Sequence, residues 1–280
     1  MIYIITGGAG SLGRRLTEEL LKPEYEATAI RVFDNNENGI ARMRWVFRDD
    51  PRLRWLIGDI RDKDRLLRAF DGVDVVVHAA ALKHVDIGET NPAEQIKTNV
   101  IGTLNCIEAA IDKNVGKFLL ISSDKSVQAC STYGRCKSLG ESLTLDANIY
   151  VGDGKRTCLS VCRPPNYLRS DGSVTEIWDY QMVSGLPLTV TDKRCVRYFM
   201  TFEEIVAFII KAIKMMKGGE IFIPNNCKPT NIYDLAKEYG KGHSIKFTGL
   251  RTGERLEELL IDPLERQYAE VIDDILVVRR

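Results

Sequence analysis

The chain begins Ile2-Tyr3-Ile4-Ile5-Thr6-Gly7-Gly8-Ala9-Gly10-Ser11-Leu12-Gly13, and the reading of this stretch decides the fold. A short apolar run with β-branched residues reads as a buried strand, and the periodic segment from Ser11 reads as a helix. From the end of the strand into that helix run Gly7, Gly10 and Gly13, spaced three apart, in a G-x-x-G-x-x-G turn at the mouth of the helix. Gly7 permits a tight turn, Gly10 lets backbone approach a pyrophosphate, and Gly13 lets helix and strand pack closely. Ser11 and Leu12 place first-turn N–H groups where the positive end of the helix favours an anion. The turn therefore reads as a dinucleotide cradle, NAD or NADP.

Further along, short apolar runs recur at residues 29–33, 53–57, 73–77, 118–121 and 159–162, separated by segments of helical period. This alternation predicts βαβ units and a parallel sheet: an α/β protein, a Rossmann-type doubly wound parallel sheet with a smaller C-terminal substrate-binding lobe. Helices are expected over residues 11–21, 61–70, 93–112 and 132–147. After Arg163, Pro164-Pro165, Gly172, Gly185 and Pro187 interrupt the pattern, and shorter helices are expected over 202–216, 232–239 and 254–260. The division is a cofactor-binding domain over 1–165 and a substrate-binding lobe over 166–280, interleaved with the first. Asp34 closes the second run, where a carboxylate would accept the adenosine ribose hydroxyls and repel a 2′-phosphate, so NAD is favoured over NADP. Asp59 and Ile60 after the third run, and Ala79, Ala80 and Ala81 after the fourth, fall where this fold lines adenine and pyrophosphate.

Composition excludes several classes. With 39 Lys and Arg against 39 Asp and Glu in 280 residues, net charge supplies no case for nucleic acid, and no polybasic block alters that. No apolar run approaches the roughly 18 residues of a membrane span, and Met1 to Thr6 lack a signal-peptide pattern. A cytoplasmic protein with no membrane partner is expected. Seven cysteines without a C-x-x-C, beside three histidines, argue for reduced packed thiols and against a metal site.

The run at 118–121 ends in Ser122-Ser123-Asp124-Lys125, and eight residues beyond Lys125 stand Tyr133-Gly134-Arg135-Cys136-Lys137. Tyr133 and Lys137 are four apart and share one face of a helix. A cation there is expected to lower the phenol's pKa, so that Tyr133 exchanges a proton with a sugar hydroxyl while nicotinamide takes or gives the hydride.

In these segments the chain resembles the nucleotide-sugar 4,6-dehydratases of the polysaccharide-biosynthesis type, extended short-chain dehydrogenase/reductases acting on UDP-N-acetylglucosamine. The matching stretches are Thr6 to Gly13, HAAALKHV from His78, KTNVIG with Asn99 from Lys97, SSDK from Ser122, Tyr133 to Lys137, DGSV from Asp171, PLTVTDKRCVRYF from Pro187 and LRTGERLEEL from Leu250. The resemblance implies that Tyr133 deprotonates the C4 hydroxyl, with Ser123 bonded to that oxygen and Lys137 on the ribose. It further implies that Lys125 removes the C5 proton while Asp124 protonates the departing C6 hydroxyl. Arg197 and Arg251 would clamp a diphosphate, Asn166 a phosphate, Lys83 the sugar, and Glu254 would orient Arg251 or meet the uridine ribose. Asn99 joins the cofactor set by the same resemblance.

The family's Thr-Asp-Lys is here Ser123-Asp124-Lys125, and its Arg-Tyr-Gly-Asn-Val is Arg163-Pro164-Pro165-Asn166-Tyr167. Its Ser-Arg-Gly-Ser-Val is Ser170-Asp171-Gly172-Ser173-Val174, an acid in place of a base. Dehydration with or without C5 inversion, 4-epimerisation of a UDP-hexose, and non-catalytic sensing of NAD(P) remain open at this point. Members of the extended group pair through the helices expected at 93–112 and 132–147, so a homo-oligomer is expected.

Overall fold

In the computed structural model, residues 1–48, 50–170 and 172–279 are described; Asp171 lies outside them. Nine strands form one sheet in the order Ala269–Ile272, Ile275–Arg279, Glu220–Pro224, Cys158–Cys162, Lys117–Ile121, Val75–His78, Ile2–Thr6, Ala29–Asp34, Leu53–Ile57. The seven strands from Glu220–Pro224 to Leu53–Ile57 run parallel, and the two at the other edge pair antiparallel. All six apolar runs of the sequence are strands within a residue or two of their expected bounds.

Side chains on a strand alternate between faces, so each inner strand must be apolar twice over when both faces are covered. Ile5, Val75, Val77, Leu119 and Ile121 pack on one face with Leu12, Leu16 and Leu20 of helix Ser11–Leu20 and Ile205, Ile209 and Ile213 of helix Phe202–Met215. Ile4, Val76, Phe118 and Leu120 pack on the other with Leu66, Cys106, Ile107 and Ala110. Continuous apolar runs, rather than alternating ones, follow directly from this double burial.

The strand Ile2–Thr6 sits between Val75–His78 and Ala29–Asp34, so the strand order reverses there. Connections leave toward opposite faces at such a point and open a crevice beyond the strand ends. Thr6, Asp34, His78 and Ile121 all stand at that end. A second layer of structure lies over it: a three-stranded sheet ordered Pro229–Asn231, Val196–Met200, Asn166–Tyr167, and a pair formed by Leu188–Val190 and Ile245–Phe247. Its own small core gathers Trp178, Leu188, Val190, Cys195, Ile232 and Ala236.

Two expectations are corrected. Residues 254–260 form no helix; Val196 N–H donates to Leu256 O (2.8 Å) and Arg197 donates to the carbonyls of Arg255 (2.8 Å) and Leu256 (3.1 Å). A helix needs those carbonyls for itself, so the segment runs extended beside the strand. The helix expected over 93–112 is divided into Pro92–Ile96, a widened π turn at Lys97–Ile101 and Gly102–Asp112. Among the described residues no helix is long and apolar enough to cross a membrane.

Candidate active site

One cleft of about 770 Å³ lies beyond the strand ends, and it draws together residues from both layers. At one end it is lined by Gly7, Gly10, Ser11, Leu12, Asp34, Asp59, Ile60, Ala79, Ala80 and Ala81. Gly7 has φ +68°, and a Cβ there would lie 2.7 Å from the Ala80 backbone, so only glycine keeps the turn this close to the next strand's loop. The Asp34 carboxylate accepts from the N–H groups of Ala9 (2.9 Å) and Asn36 (2.9 Å), which fixes the turn against the second strand. Asp59 accepts from Arg61 N–H (2.9 Å) and from Asn35 Nδ2 (3.3 Å).

Two residues of the expected cofactor set stand behind this wall. Gly13 packs on the backbone of Gly8. Asn99, in the widened turn, trades two hydrogen bonds of 2.8 Å with the N–H and carbonyl of Leu82 and so holds the loop that carries Ala79 to Ala81. Beneath that loop, Thr103 Oγ1 donates to Asn99 O (2.8 Å), which leaves it to accept from His78 Nε2 (3.0 Å); His78 Nδ1 then accepts from Thr6 Oγ1 (2.6 Å). This assignment makes His78 neutral, and its burial, with the Lys137 charge nearby, pushes its pKa down to about 3.

At the middle of the cleft the strand Lys117–Ile121 delivers Ser122 to Lys125, and helix Thr132–Asp146 delivers Tyr133 and Lys137. Ser131 caps that helix by accepting from Gly134 N–H (3.0 Å). Gly134 faces the Lys125 carbonyl so closely that any Cβ would overlap it, which is how helix and turn come together. Lys137 Nζ donates to Ile121 O (2.8 Å).

Ser123 Oγ donates to Asp124 Oδ1 (2.9 Å). Lys125 Nζ donates to Asp124 Oδ1 (3.2 Å), Asn166 Oδ1 (2.9 Å) and Glu258 Oε2 (3.1 Å), so all three ammonium hydrogens have acceptors. Asn166 Nδ2 in turn reaches Asp124 Oδ2 (3.0 Å) and Glu258 Oε2 (3.2 Å). Burial and the neighbouring Glu258 carboxylate push Asp124 up to about 7, against the opposing pull of Lys125. Burial opposes the Lys125 charge, but Asp124 and Glu258 outweigh it and hold the ammonium protonated above its usual range.

The phenol departs from the sequence reading. Burial pushes Tyr133 up to about 12, and the cation that works against this is Lys125, with a hydrogen bond from Ser123. Lys137 is itself pushed down to about 8 by burial, partly offset by Glu141, and does not supply the expected lowering. Desolvation of a fully buried phenol outweighs the cations around it.

At the far end, Lys83, Asn166, Arg197, Arg251 and Glu254 line the cleft. Arg251 is exposed, and its backbone N–H donates to Glu254 Oε2 (3.1 Å). Arg197 is buried: Nε faces Glu258 Oε1 (3.3 Å), one terminal nitrogen donates to the carbonyls of Val196 and Leu256, and the other to Glu254 Oε1 (3.0 Å) and Arg255 O. The four N–H donors of the two terminal nitrogens are therefore committed within the chain, and Nε is ion-paired to Glu258. Glu258, 7% exposed, is absent from the site residues expected from the sequence, where residues 254–260 read as a helix. Its signal was the Glu257-Glu258 pair within the matching LRTGERLEEL stretch. Among the described residues, no group of His, Cys, Asp and Glu is arranged to hold a metal, and no cysteine forms a disulfide.

The comparisons agree on one family. The family described as polysaccharide biosynthesis protein matches residues 3–280. A protein of Methanocaldococcus jannaschii described as an uncharacterized membrane protein is 42% identical over 98% of this chain and 84% of its own length. The UDP-N-acetylglucosamine 4,6-dehydratase (inverting) of Campylobacter jejuni serotype O:2 is 39% identical over 92% of this chain and 76% of its own. A Rickettsia akari protein named UDP-glucose 4-epimerase is 35% identical over 95% and 79%. The solved structure of Pen from Bacillus thuringiensis superposes with a TM-score of 0.94 at 33% identity, covering 99% of this chain and 89% of that one. With its parallel sheet, its glycine turn and its match over nearly the whole length, the chain belongs to the polysaccharide biosynthesis protein family.

Proposed function

We propose that the protein is an NAD-dependent nucleotide-sugar 4,6-dehydratase acting on UDP-N-acetylglucosamine with inversion at C5. The observation that carries this reading is the ion pair of buried Asp124 with part-buried Lys125 beside Tyr133, with the Asp124 carboxyl raised to about 7. A carboxylic acid that holds its proton near neutrality can protonate a leaving hydroxyl, a step that 4-epimerisation does not contain. The similarity to the Campylobacter jejuni inverting dehydratase supports the substrate and the inversion.

The residues at the glycine-turn end fit a dinucleotide: bare backbone at Gly7 and Gly10 for a pyrophosphate, and Asp34 at the strand end for ribose hydroxyls in preference to a 2′-phosphate. NAD, when bound, would supply the acceptor for the C4 hydride and return it at C6. Tyr133 takes the C4 hydroxyl proton as its phenolate, the form that burial opposes and Lys125 and Ser123 favour, with Ser123 bonded to the same oxygen and Lys137 on the cofactor ribose. The ketone at C4 acidifies the C5 hydrogen; Lys125 removes it while Asp124 gives its proton to the C6 hydroxyl, which leaves as water, and a solvent-exchanged proton adds to C5 from the opposite face as C6 is reduced. Arg251, Lys83 and Asn166 hold the sugar nucleotide, and Arg197 holds residues 254–258 in place for them.

The 1–165 portion serves the cofactor and the 166–280 portion the sugar nucleotide, with Glu220–Pro224 and the last two strands returning to the main sheet. The protein acts in the cytoplasm, in keeping with its unpaired cysteines. It pairs with a second copy through the helices around Ile96, Ile101 and Leu139, which are 48%, 47% and 49% exposed.

Incubation with UDP-N-acetylglucosamine in deuterated water tests the reading. Loss of one water with deuterium at C5 is expected, and Lys125→Ala and Asp124→Asn should abolish it. An isomer of unchanged mass would make the protein an epimerase, the reading to which the Rickettsia akari relative's name points. Tight NAD binding without product from any sugar nucleotide would make it a sensor.

A further inference from the structure

We propose that Glu258 is the positioning residue of the acid–base pair: its carboxylate shares one proton with the Asp124 carboxyl, leaves that proton on Asp124 and holds the Lys125 ammonium beside it. The inference rests on the dehydratase reading and goes beyond it, since that reading gives no cause for the proton on the Asp124 carboxyl.

Glu258 lies 133 residues from Lys125 in sequence, yet it meets Lys125, Asn166 and Arg197. Its Oε2 accepts from Lys125 and from Asn166 Nδ2, and its Oε1 faces Arg197 Nε. Lys125 and Asn166 each bridge the same two carboxyl groups, Asp124 and Glu258. Two carboxylates held this close in a buried site do not both ionise, so the pair retains a proton. Where it resides follows from the other neighbours. Burial raises Glu258, but Lys125, the hydrogen bond with Asp124 and the Arg197 guanidinium outweigh burial and hold it down at about 2. Among the described residues no arginine pairs with Asp124, which keeps the proton.

Lys125 donates to three acceptors, and two of them are the carboxyl groups of this pair. Glu258, the weaker base of the two, stays ionised and holds the ammonium in place, so the proton stays on Asp124. Asp124 gives that proton to the C6 hydroxyl as the C6–O bond breaks and the hydroxyl leaves as water. Arg197, which donates to the carbonyls of Arg255 and Leu256, fixes the reach of Glu258 by pinning the extended segment on which it rides.

The test uses the full-length chain with Glu258→Gln and Glu258→Asp. In the free protein, infrared titration should show a protonated carboxyl with a midpoint near 7 that Asp124→Asn removes and Glu258→Gln moves toward the ordinary carboxylate range. With UDP-N-acetylglucosamine and NAD, Glu258→Gln should lower kcat for dehydration at least about 100-fold, the scale of a lost acid–base contribution. KM should stay within about threefold. C4 oxidation needs only Tyr133 and Ser123, so in a single turnover the variant should accumulate reduced-nicotinamide absorbance, and Glu258→Asp should recover part of the rate. An unmoved carboxyl midpoint, an unchanged kcat, or a lost rate without reduced nicotinamide overturns the proposal. If the wild-type protein dehydrates no sugar nucleotide, the proposed activity fails, while the infrared midpoint still decides the shared proton.

Discussion

Replacing Arg163 with methionine should destabilise the protein by an amount that its surroundings set. Arg163 is 2% exposed and joins two carboxylates: Glu141 by bonds of 3.0 and 2.6 Å, and Glu265 by bonds of 2.7 and 2.9 Å. Methionine fills much of the volume, so the cost comes from charge rather than from a cavity. Glu265 is 15% exposed and can turn to water. Glu141 cannot, but it keeps the hydroxyl bonds from Ser122 and Ser126, each 2.6 Å. The loss should therefore sit at the lower end of the range for breaking a buried pair, about 3 kcal/mol. Unfolding entropy for a chain of 280 residues is about 0.6 kcal/mol/K, so Tm should fall by about 5 °C. Scanning calorimetry of Arg163→Met, Glu141→Gln and the double variant reads this. The double variant should recover most of the loss, because it removes the stranded charge. A single variant melting within about 1 °C of wild type, or a double variant whose losses simply add, would refute the reasoning.

Gly134→Ala should disrupt the approach of the Tyr133 helix to the Lys125 carbonyl, costing about 1–3 kcal/mol and lowering turnover; melting temperature and rate, measured together, check it. His78 has a folded pKa of about 3 against an unfolded 6.5, so the unfolded state binds more protons in that window and stability falls as pH falls through it. Between pH 7 and pH 5 this amounts to roughly 2 kcal/mol, and urea melts of His78→Gln should lack that share of the slope. Asp34→Asn removes the charge that opposes a 2′-phosphate and should shift cofactor preference toward NADP by roughly tenfold, the factor for 1.4 kcal/mol, in paired binding titrations.

The sheet was legible because its instructions are local. A strand buried on both faces must be apolar at successive positions, and Ile2–Thr6, Val75–His78 and Lys117–Ile121 announce this within a few residues each. The same holds for the glycine turn and for Tyr133 and Lys137, which four residues of helix bring onto one face. The helix misread at 254–260 shows where local pattern fails: Arg197 and Val196 claim the carbonyls such a helix would need, and nothing inside the segment records that claim.

Sequence by itself therefore determined a parallel α/β sheet, a dinucleotide turn, and a tyrosine–lysine pair in register with a serine, an aspartate and a lysine. Tertiary structure decided the protonation of that site. Lys125 meets Asn166 from 41 residues away and Glu258 from 133, and those contacts hold the ammonium charged and the Asp124 carboxyl protonated near neutrality. Charge state depends on burial and on every group within a few ångströms, and which groups those are is settled only when the second layer folds back over the strand ends.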